Sequence, residues 1–249
     1  MNQRRNGLKV LGLAFVAALG LMAFMASGAQ ANFLVLLTEG GVIDDVGDNL
    51  PTITSHKEFI LLVIPKNFEI KCPTVESDPS APVLLLANST VAHGHLLFLG
   101  CKTFTISPLT EQTKCVPKSP GQAAGIILAG GLAELVLHPT PNTKSYLLIK
   151  PLTEQPFTTI EFGAECALFE TGEVAGDFVA ECGELVSPGV FGGGDCKTHR
   201  VTQLLQQVAA ALFPTAVLKF GKSEARIDGI AAVKLGAPWV GKSWGGDAV

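Results

Sequence analysis

Two histidines, His93 and His95, alternate along an apolar segment and are the residues whose types and spacing best suit metal chemistry. Successive side chains of a β-strand point to opposite faces, so both imidazoles would lie on one face, as two ligands of a metal ion can. A third ligand would come from His138, His199 or a carboxylate, and the spacing selects none of them. We favour the other interpretation, two partly exposed strand histidines. We predict no metal and no cofactor, and keep His93 and His95 as candidate ligands.

The C-terminal segment contains two motifs that match catalytic signatures. Residues 236–243 fit the phosphate-binding loop G-x4-G-K-[ST], and residues 241–245 fit the nucleophile elbow G-x-S-x-G. A phosphate-binding loop leads into a helix, which the glycine-containing residues after Ser243 do not favour, and the elbow serine needs a histidine later in the chain. We therefore predict neither nucleotide binding nor a serine nucleophile. We interpret the segment as a terminal turn in which Trp239 and Trp244 cover the edge of a sheet.

Acidic residues are concentrated between positions 161 and 184, where the pattern predicts a hairpin that turns near Gly172. They are Glu161, Glu165, Glu170, Glu173, Asp177, Glu181 and Glu184. A glycoside hydrolase holds two carboxylates about 5 to 9.5 Å apart in a cleft, whereas these acids mostly alternate with apolar residues along the predicted hairpin. That alternation is typical of the solvated face of a sheet. Catalytic carboxylates and a calcium site are the alternatives.

The cysteines are even in number, as expected of a disulfide framework formed in an oxidising compartment. They are Cys72, Cys101, Cys115, Cys166, Cys182 and Cys196. Two pairs share the same separation along the chain and bracket turn-rich segments. These are Cys101 with Cys115, and Cys182 with Cys196. We predict both disulfides, which leaves Cys72 to pair with Cys166. Closing a loop of this length stabilises the fold by about 3 kcal/mol in the chain-entropy treatment.

Residues 1–31 have the composition of a secretory signal peptide. Three basic residues precede an almost wholly apolar stretch, and Ala29-Gln30-Ala31 is a small-x-small cleavage pattern. Cleavage there would leave residues 32–249; an uncleaved membrane anchor is the alternative. Subtracting the segment's three basic residues from the chain's 18, against 22 acidic residues, gives a net charge of −7. We therefore predict an exported protein (extracellular, periplasmic or at the cell surface) that does not bind nucleic acid.

Short apolar or alternating runs, separated by glycine and proline turns, predict about a dozen strands. Residues 68–72 alternate with period two, and the apolar run 96–101 ends on Gly100 and Cys101. Residues 126–129 and 132–138 flank a Gly-Gly pair and predict a hairpin. Residues 73–82, rich in Ser, Asp and Pro, predict a surface loop. In the segment 225–235, apolar and charged residues separate onto opposite faces.

One segment, residues 201–213, has the apolar period of a helix and ends before Pro214. Strands in this number, with turn signals every 8 to 12 residues or so, are typical of sandwiches and barrels. We predict an all-β fold, an antiparallel sandwich or barrel with one short helix near the C-terminus. Two domains with a boundary near residues 139–144 are the alternative, but a disulfide between Cys72 and Cys166 would cross that boundary, so we predict a single domain over residues 32–249.

Glycines, cysteines and apolar residues recur with a distinctive spacing in two places. The first is LFLGCKTF at residues 97–104, followed by TKC at 113–115. The second is LKFG at 218–221, then Gly229-Ile230-Ala231, then GKSWG at 241–245. In these segments the chain resembles a group of exported, disulfide-containing, β-rich bacterial proteins without an assigned activity. The resemblance implies an exported β protein and transfers no catalytic residues. The predicted helix at 201–213 departs from the pattern of that group.

The inventory of polar residues is small for an enzyme: one tyrosine, five scattered histidines and 16% charged residues. No nucleophile, base and orienting acid converge by a recognised spacing. We predict a secreted or cell-envelope protein that acts as a surface binding or structural module, with a protein or a cell-surface polymer as its partner. The alternative is an exported hydrolase or metal-binding protein whose site is assembled from distant residues.

Overall fold

β-strands supply almost all of the regular structure. The computed structural model describes residues 34–37, 51–85, 91–137, 144–153, 155–208, 213–237 and 239–247; these ranges contain no α-helix and one 3₁₀ turn, Ile64–Lys66. The strands, numbered in chain order, are β1 (Leu34–Leu37), β2 (Thr52–Val63), β3 (Phe68–Cys72), β4 (Thr74–Ser77), β5 (Leu84–Leu85), β6 (Val91–Leu99), β7 (Lys102–Thr105), β8 (Thr110–Glu111), β9 (Pro117–Lys118), β10 (Ile127–Leu137), β11 (Ser145–Pro151), β12 (Thr158–Phe162), β13 (Gly172–Gly176), β14 (Phe178–Ser187), β15 (Val190–Gly194), β16 (Gln203–Gln207), β17 (Leu218–Phe220), β18 (Ser223–Glu224), β19 (Arg226–Lys234) and β20 (Trp244–Asp247). The predicted all-β class is confirmed. The predicted signal peptide, residues 1–31, lies outside the described residues.

Eight strands form a closed antiparallel barrel. Their order around the ring is β2, β4, β6, β10, β11, β14, β16 and β19, and the long pairing of β19 with β2 closes it. Ring closure satisfies the backbone hydrogen-bonding groups that a sheet edge would leave open. Of the two architectures predicted, sandwich or barrel, the chain adopts the barrel with additional strands.

The remaining strands extend the barrel or form two smaller sheets. β3, β7 and β8 continue outward from β2, while β1 pairs with β20. β9, β12, β13, β17 and β18 form a five-stranded sheet, called the capping sheet below. Gly176, with φ of +86°, is the last residue of β13 in the capping sheet, and β14 of the barrel begins at Phe178. A Cβ at this position would collide with the backbone oxygen of Val217, so only glycine fits this sharp junction.

Two apolar clusters occupy the two ends of the barrel. At one end Trp244 of β20 packs with Leu135, Leu147 and Leu235 near the Cys182–Cys196 disulfide. At the other end aromatic and aliphatic side chains of the capping sheet pack on barrel residues. This second cluster includes Val63, Phe68, Ile127, Ile160, Val174, Leu218 and Phe220. Both ends of the barrel are therefore covered by side chains from outside its ring of strands.

The helix predicted over residues 201–213 is wrong, because residues 203–207 form β16 between β14 and β19. The described part of this segment contains no helix, and residues 209–212 lie outside the described ranges. Gln203 is fully buried and donates through Nε2 to the backbone oxygens of Thr198 (2.6 Å) and Trp244 (3.1 Å). Pairing on both sides, together with this buried amide, outweighs a local helical preference.

Two further local predictions are wrong for a similar reason. The predicted hairpin across residues 126–138 is one continuous strand, β10, which passes through Gly130 and Gly131 and pairs with β6 and β11. The predicted surface loop 73–82 contains the barrel strand β4. In both places, pairing with the neighbouring barrel strands on each side replaces the turn that the glycine, serine or proline content predicts.

Three disulfides link all six cysteines. Cys182–Cys196 is confirmed, but the predicted Cys101–Cys115 and Cys72–Cys166 pairs are wrong: the bonds are Cys72–Cys101 and Cys115–Cys166. β3 and β7 are antiparallel with Lys71 opposite Lys102, which places Cys72 directly across from Cys101. The prediction used the equal separation of two cysteine pairs along the chain, and this separation does not depend on the register between β3 and β7. Three disulfides indicate an oxidising environment.

Gly94 in β6 allows the segment before β5 to lie directly against the strand. A Cβ on Gly94 would lie 2.7 Å from the backbone oxygen of Pro82 and would collide with the Cα of Val83. We therefore expect Gly94→Ala to lower the free energy of unfolding by about 1 to 3 kcal/mol in urea denaturation. Gly130→Ala is the matched control, because its Cβ would meet the movable side-chain ends of Leu152 and His95. A loss in the control equal to that of Gly94→Ala would contradict this explanation.

Candidate functional site

A cavity of about 240 Å³ lies inside the barrel. Its walls contain many small residues on several strands, namely Ala92, Gly94, Ala129, Gly131, Ala133, Ala180, Gly229 and Ala231. Eight-stranded barrels have an interior that side chains can just fill, or that holds one small ligand. The small residues in these strands leave the space that larger side chains would occupy.

Large apolar side chains complete the cavity wall at both ends. Ile53, Leu205 and Val233 line it toward Trp244, and they also pack against the cluster that contains this tryptophan. Toward the capping sheet the wall includes the aromatic residues Phe59, Phe98, Phe157 and Phe178. The Phe157 and Phe178 rings are 5.9 Å apart. Thr158, Ile160 and Val174 of the capping sheet also line the cavity, so this sheet forms part of the wall.

Four residues with polar side chains border the cavity: His93, Thr158, Gln206 and Gln207. Because Gly94 and Gln207 face the interior, strand alternation turns the side chains of His93 and Gln206 to the outer face of the barrel. Among the described residues that line it, none is Asp, Glu, Lys or Arg. The Thr158 hydroxyl is 2.7 Å from the Ser119 hydroxyl, and Gln207 Oε1 accepts a hydrogen bond from the backbone N–H of Ile227. The cavity is therefore almost wholly apolar and uncharged, which suits an uncharged ligand.

The two candidate metal ligands, His93 and His95, lie on β6 and point to the same side by strand alternation. His93 borders the cavity, while the backbone of His95 is bonded to Asp78 and Ala81. Among the described residues, no three His, Cys, Asp or Glu side chains converge as metal ligands would. His138 lies outside the described residues, and Cys196, near His199 in sequence, is bonded to Cys182.

Asp78, Ser80 and His95 come together beside β6, but their hydrogen bonds differ from those of a catalytic triad. The Ser80 hydroxyl donates to Asp78 Oδ1 at 2.8 Å, and the Ser80 backbone N–H donates to the same oxygen at 2.9 Å. In a triad the serine donates to the imidazole and the carboxylate orients that imidazole. Here the carboxylate stabilises the turn between β4 and β5, so the contact is structural.

The two hydrogen bonds from Ser80, first from its N–H and then from its hydroxyl, lower the pKa of Asp78 below 3.8, with a smaller contribution from His95. We expect Ser80→Ala to raise this pKa, measured by carbon NMR of the carboxyl group. A lowered pKa in the folded state stabilises the fold above about pH 3.8, and this contribution is lost as the pH falls through the folded-state value. An unchanged Asp78 titration in Ser80→Ala would contradict the assignment.

The acidic residues between 161 and 184 are distributed over different sheets, and four of the seven pair with cations. Glu161 lies 3.5 Å from Lys118, Glu165 lies 3.5 Å from Lys114, and Glu181 lies 2.8 Å from Lys144. Glu184 lies 3.8 Å from Arg200. These separate ion pairs are what a solvated sheet surface forms, and they do not assemble a pair of carboxylates in a cleft.

The two C-terminal motifs fold as turns followed by a strand. Backbone bonds from Trp239 to Gly236 and from Lys242 to Trp239 close two successive turns, after which β20 begins at Trp244. The helix that a phosphate-binding loop needs is replaced by this strand. Trp239 packs on the cluster at the end of the barrel, and Trp244 is buried within it. Trp244 therefore belongs to the core and not to a sheet edge.

Comparison with known proteins gives no relative: the chain matches no protein-family model, no curated protein and no solved structure.

The cavity was not among the sites predicted from the sequence. One signal could have indicated it, namely small residues at alternate positions of apolar strands, as at Ala92 and Gly94 or at Ala129, Gly131 and Ala133. Alternate positions share one face of a strand, so small residues there leave a void when that face is enclosed.

Proposed function

We propose that this chain is an exported binding module that acts without catalysis and holds one small apolar ligand inside its barrel. The observation that carries the proposal is the uncharged cavity inside the barrel, lined by small and aromatic side chains. This interior site replaces the outer surface as the place where we expect the partner to bind. The partner is accordingly a small molecule, not the protein or cell-surface polymer expected from the sequence.

The volume of the cavity sets the size of the ligand. An engineered apolar cavity of 150 Å³ binds benzene, which has six non-hydrogen atoms, so each atom needs roughly 25 Å³. A cavity of about 240 Å³ then admits a molecule of roughly ten non-hydrogen atoms. Burying such a molecule against apolar side chains is favoured by the hydrophobic effect and by dispersion contacts.

Export is the second part of the proposal. The three disulfides support it because they persist in oxidising compartments, and the apolar N-terminal segment with its small-x-small site has the composition of a cleavable signal. Among the described residues, no helix has the length and hydropathy to cross a membrane. Secretion to the medium, the periplasm or the cell surface would each supply the oxidising conditions.

Nuclear magnetic resonance of the alanine methyl groups tests the proposed function. Ala129, Ala133 and Ala231 line the cavity, whereas Ala124 is exposed. Titration with α-methylstyrene, a neutral hydrocarbon of nine non-hydrogen atoms, is expected to shift the cavity methyl resonances and leave Ala124 unchanged. Xenon, which is smaller, is expected to shift the same methyl groups. Unchanged cavity resonances with both probes at saturation in water would overturn the proposal.

A further inference from the structure

We propose that the ligand carries one hydrogen-bond acceptor oxygen, and that the side-chain amide of Gln207 donates to it inside the cavity. This inference rests on the proposed function and narrows the ligand to a compact, neutral molecule with a carbonyl, ether or hydroxyl oxygen. Gln207 is thereby a specificity-determining residue, because it distinguishes such a molecule from a plain hydrocarbon of the same shape.

The orientation of the Gln207 amide follows from one hydrogen bond. The backbone N–H of Ile227 donates to the side chain of Gln207, so the atom that accepts is Oε1. The two hydrogens on Nε2 remain, and Nε2 has no hydrogen-bond partner among the described residues. Gln207 belongs to the cavity wall and is half-buried at the end of β16. A donor in an apolar wall gains most from an acceptor on the ligand.

The place of Gln207 in the barrel makes it the polar end of the site. β16 pairs with β14 so that Gln207 lies opposite Ala180, and Ile227 is at the start of β19. Phe178 and Phe157, which also line the cavity, lie at this capping-sheet end. The other inward-pointing wall residues on β16 and β19, which include Leu205 and Val233, are apolar. A ligand would place its oxygen toward the capping sheet and its hydrocarbon part toward the opposite end.

The wall also excludes charged ligands of the same size. None of its described residues is a cation that could pair with a carboxylate, and an unpaired buried charge is strongly disfavoured. The amide of Gln207 would still donate to a carboxylate, but one neutral donor does not replace the solvation of an anion. We therefore expect ketones, esters, ethers and alcohols to bind and the corresponding acids to be rejected at neutral pH.

Three probes of one shape test the inference. Acetophenone and α-methylstyrene differ only in a carbonyl oxygen in place of a methylene group, and benzoate carries the charge. In the wild-type protein we expect alanine-methyl titrations to show binding of the first two and at least tenfold weaker binding of benzoate. Gln207→Met should weaken acetophenone about fivefold and leave α-methylstyrene within twofold. Gln122→Met, at a half-buried glutamine in the loop before β10, is the control and should change neither affinity.

A second measurement uses the wild-type protein alone, in case Gln207→Met fails to fold. The carbonyl stretching frequency of bound, ¹³C-labelled acetophenone should lie below its value in hexane, as expected for a hydrogen-bonded carbonyl. A bound frequency equal to that in hexane, or equal weakening of both neutral probes by Gln207→Met, overturns the role of Gln207 and leaves the cavity as a hydrocarbon site. If neither neutral probe nor xenon shifts the cavity methyl groups, the proposed function itself fails.

Discussion

Replacing Ala129 with leucine is expected to abolish binding of α-methylstyrene, with a loss of affinity of at least 100-fold. Ala129 lies in β10 opposite Leu96 and lines the cavity. Leucine adds three carbon atoms, which remove roughly 75 Å³ of the available volume at about 25 Å³ per atom. The nine-atom probe needs roughly 225 Å³ on the same scale and no longer fits. Adding Ala231→Leu on β19 should remove the site almost completely.

The same substitution should leave the fold intact, which separates loss of the site from unfolding. New contacts in the cavity offset the strain of a larger side chain, so we expect the free energy of unfolding to stay within about 1 kcal/mol of the wild type. Xenon should still bind the single variant, because it needs less space than the hydrocarbon. Ala124→Leu, at an exposed loop position, is the control and should retain full affinity. Undiminished α-methylstyrene binding by Ala129→Leu would place the ligand elsewhere.

Residue patterns within single strands could be predicted from the sequence, because they depend on local alternation. β19 is an example: Ile227, Ala231 and Val233 line the cavity, whereas Lys234 is exposed, as the alternation of apolar and charged residues predicts. The alternating run Phe68–Cys72 is likewise β3, with the same bounds. A short stretch of sequence is therefore enough to predict that a strand forms and which of its faces points inward.

Pairing between distant strands could not be predicted in the same way. Ring closure requires β19 to pair with β2, which lies near the other end of the chain. The composition of neither strand identifies the strand with which it pairs. The error at residues 201–213 has this origin, since Leu204 and Leu205 suit one helical face as well as two sides of a strand. In the barrel Leu205 lines the cavity, and Leu204 packs outside with Ile230 and Ala232. Only pairing with the neighbouring strands β14 and β19 makes this segment a strand and not a helix.

The candidate cavity is harder to predict than the strands, because a void is a property of several elements together. Small residues such as Ala180 and Gly229 are compatible with close packing wherever a bulky side chain lies opposite. They leave space here because other strands of the ring also contribute alanine and glycine to the cavity wall. The histidines and acidic residues that the sequence suggests as metal ligands or catalytic groups lie mainly outside the cavity.

Removing the Cys115–Cys166 disulfide is expected to cause the largest loss of stability among the three. It closes the longest loop, with a sequence separation of 51, compared with 29 for Cys72–Cys101 and 14 for Cys182–Cys196. In the chain-entropy treatment these separations correspond to about 4, 3.6 and 3 kcal/mol. Urea denaturation of the three double-alanine variants should show losses of free energy of unfolding in this order.

The position of Cys115–Cys166 gives this loss a functional consequence. Cys115 precedes β9 and Cys166 follows β12, and these two strands pair in the capping sheet that covers one end of the cavity. Peptide mapping without reduction should first find Cys115 joined to Cys166; a Cys101–Cys115 peptide would contradict the fold. Because the capping sheet supplies Ile160 and Val174 to the cavity wall, loosening it should also speed release of α-methylstyrene. The Cys182–Cys196 variant, altered at the opposite end, should release the probe at the wild-type rate.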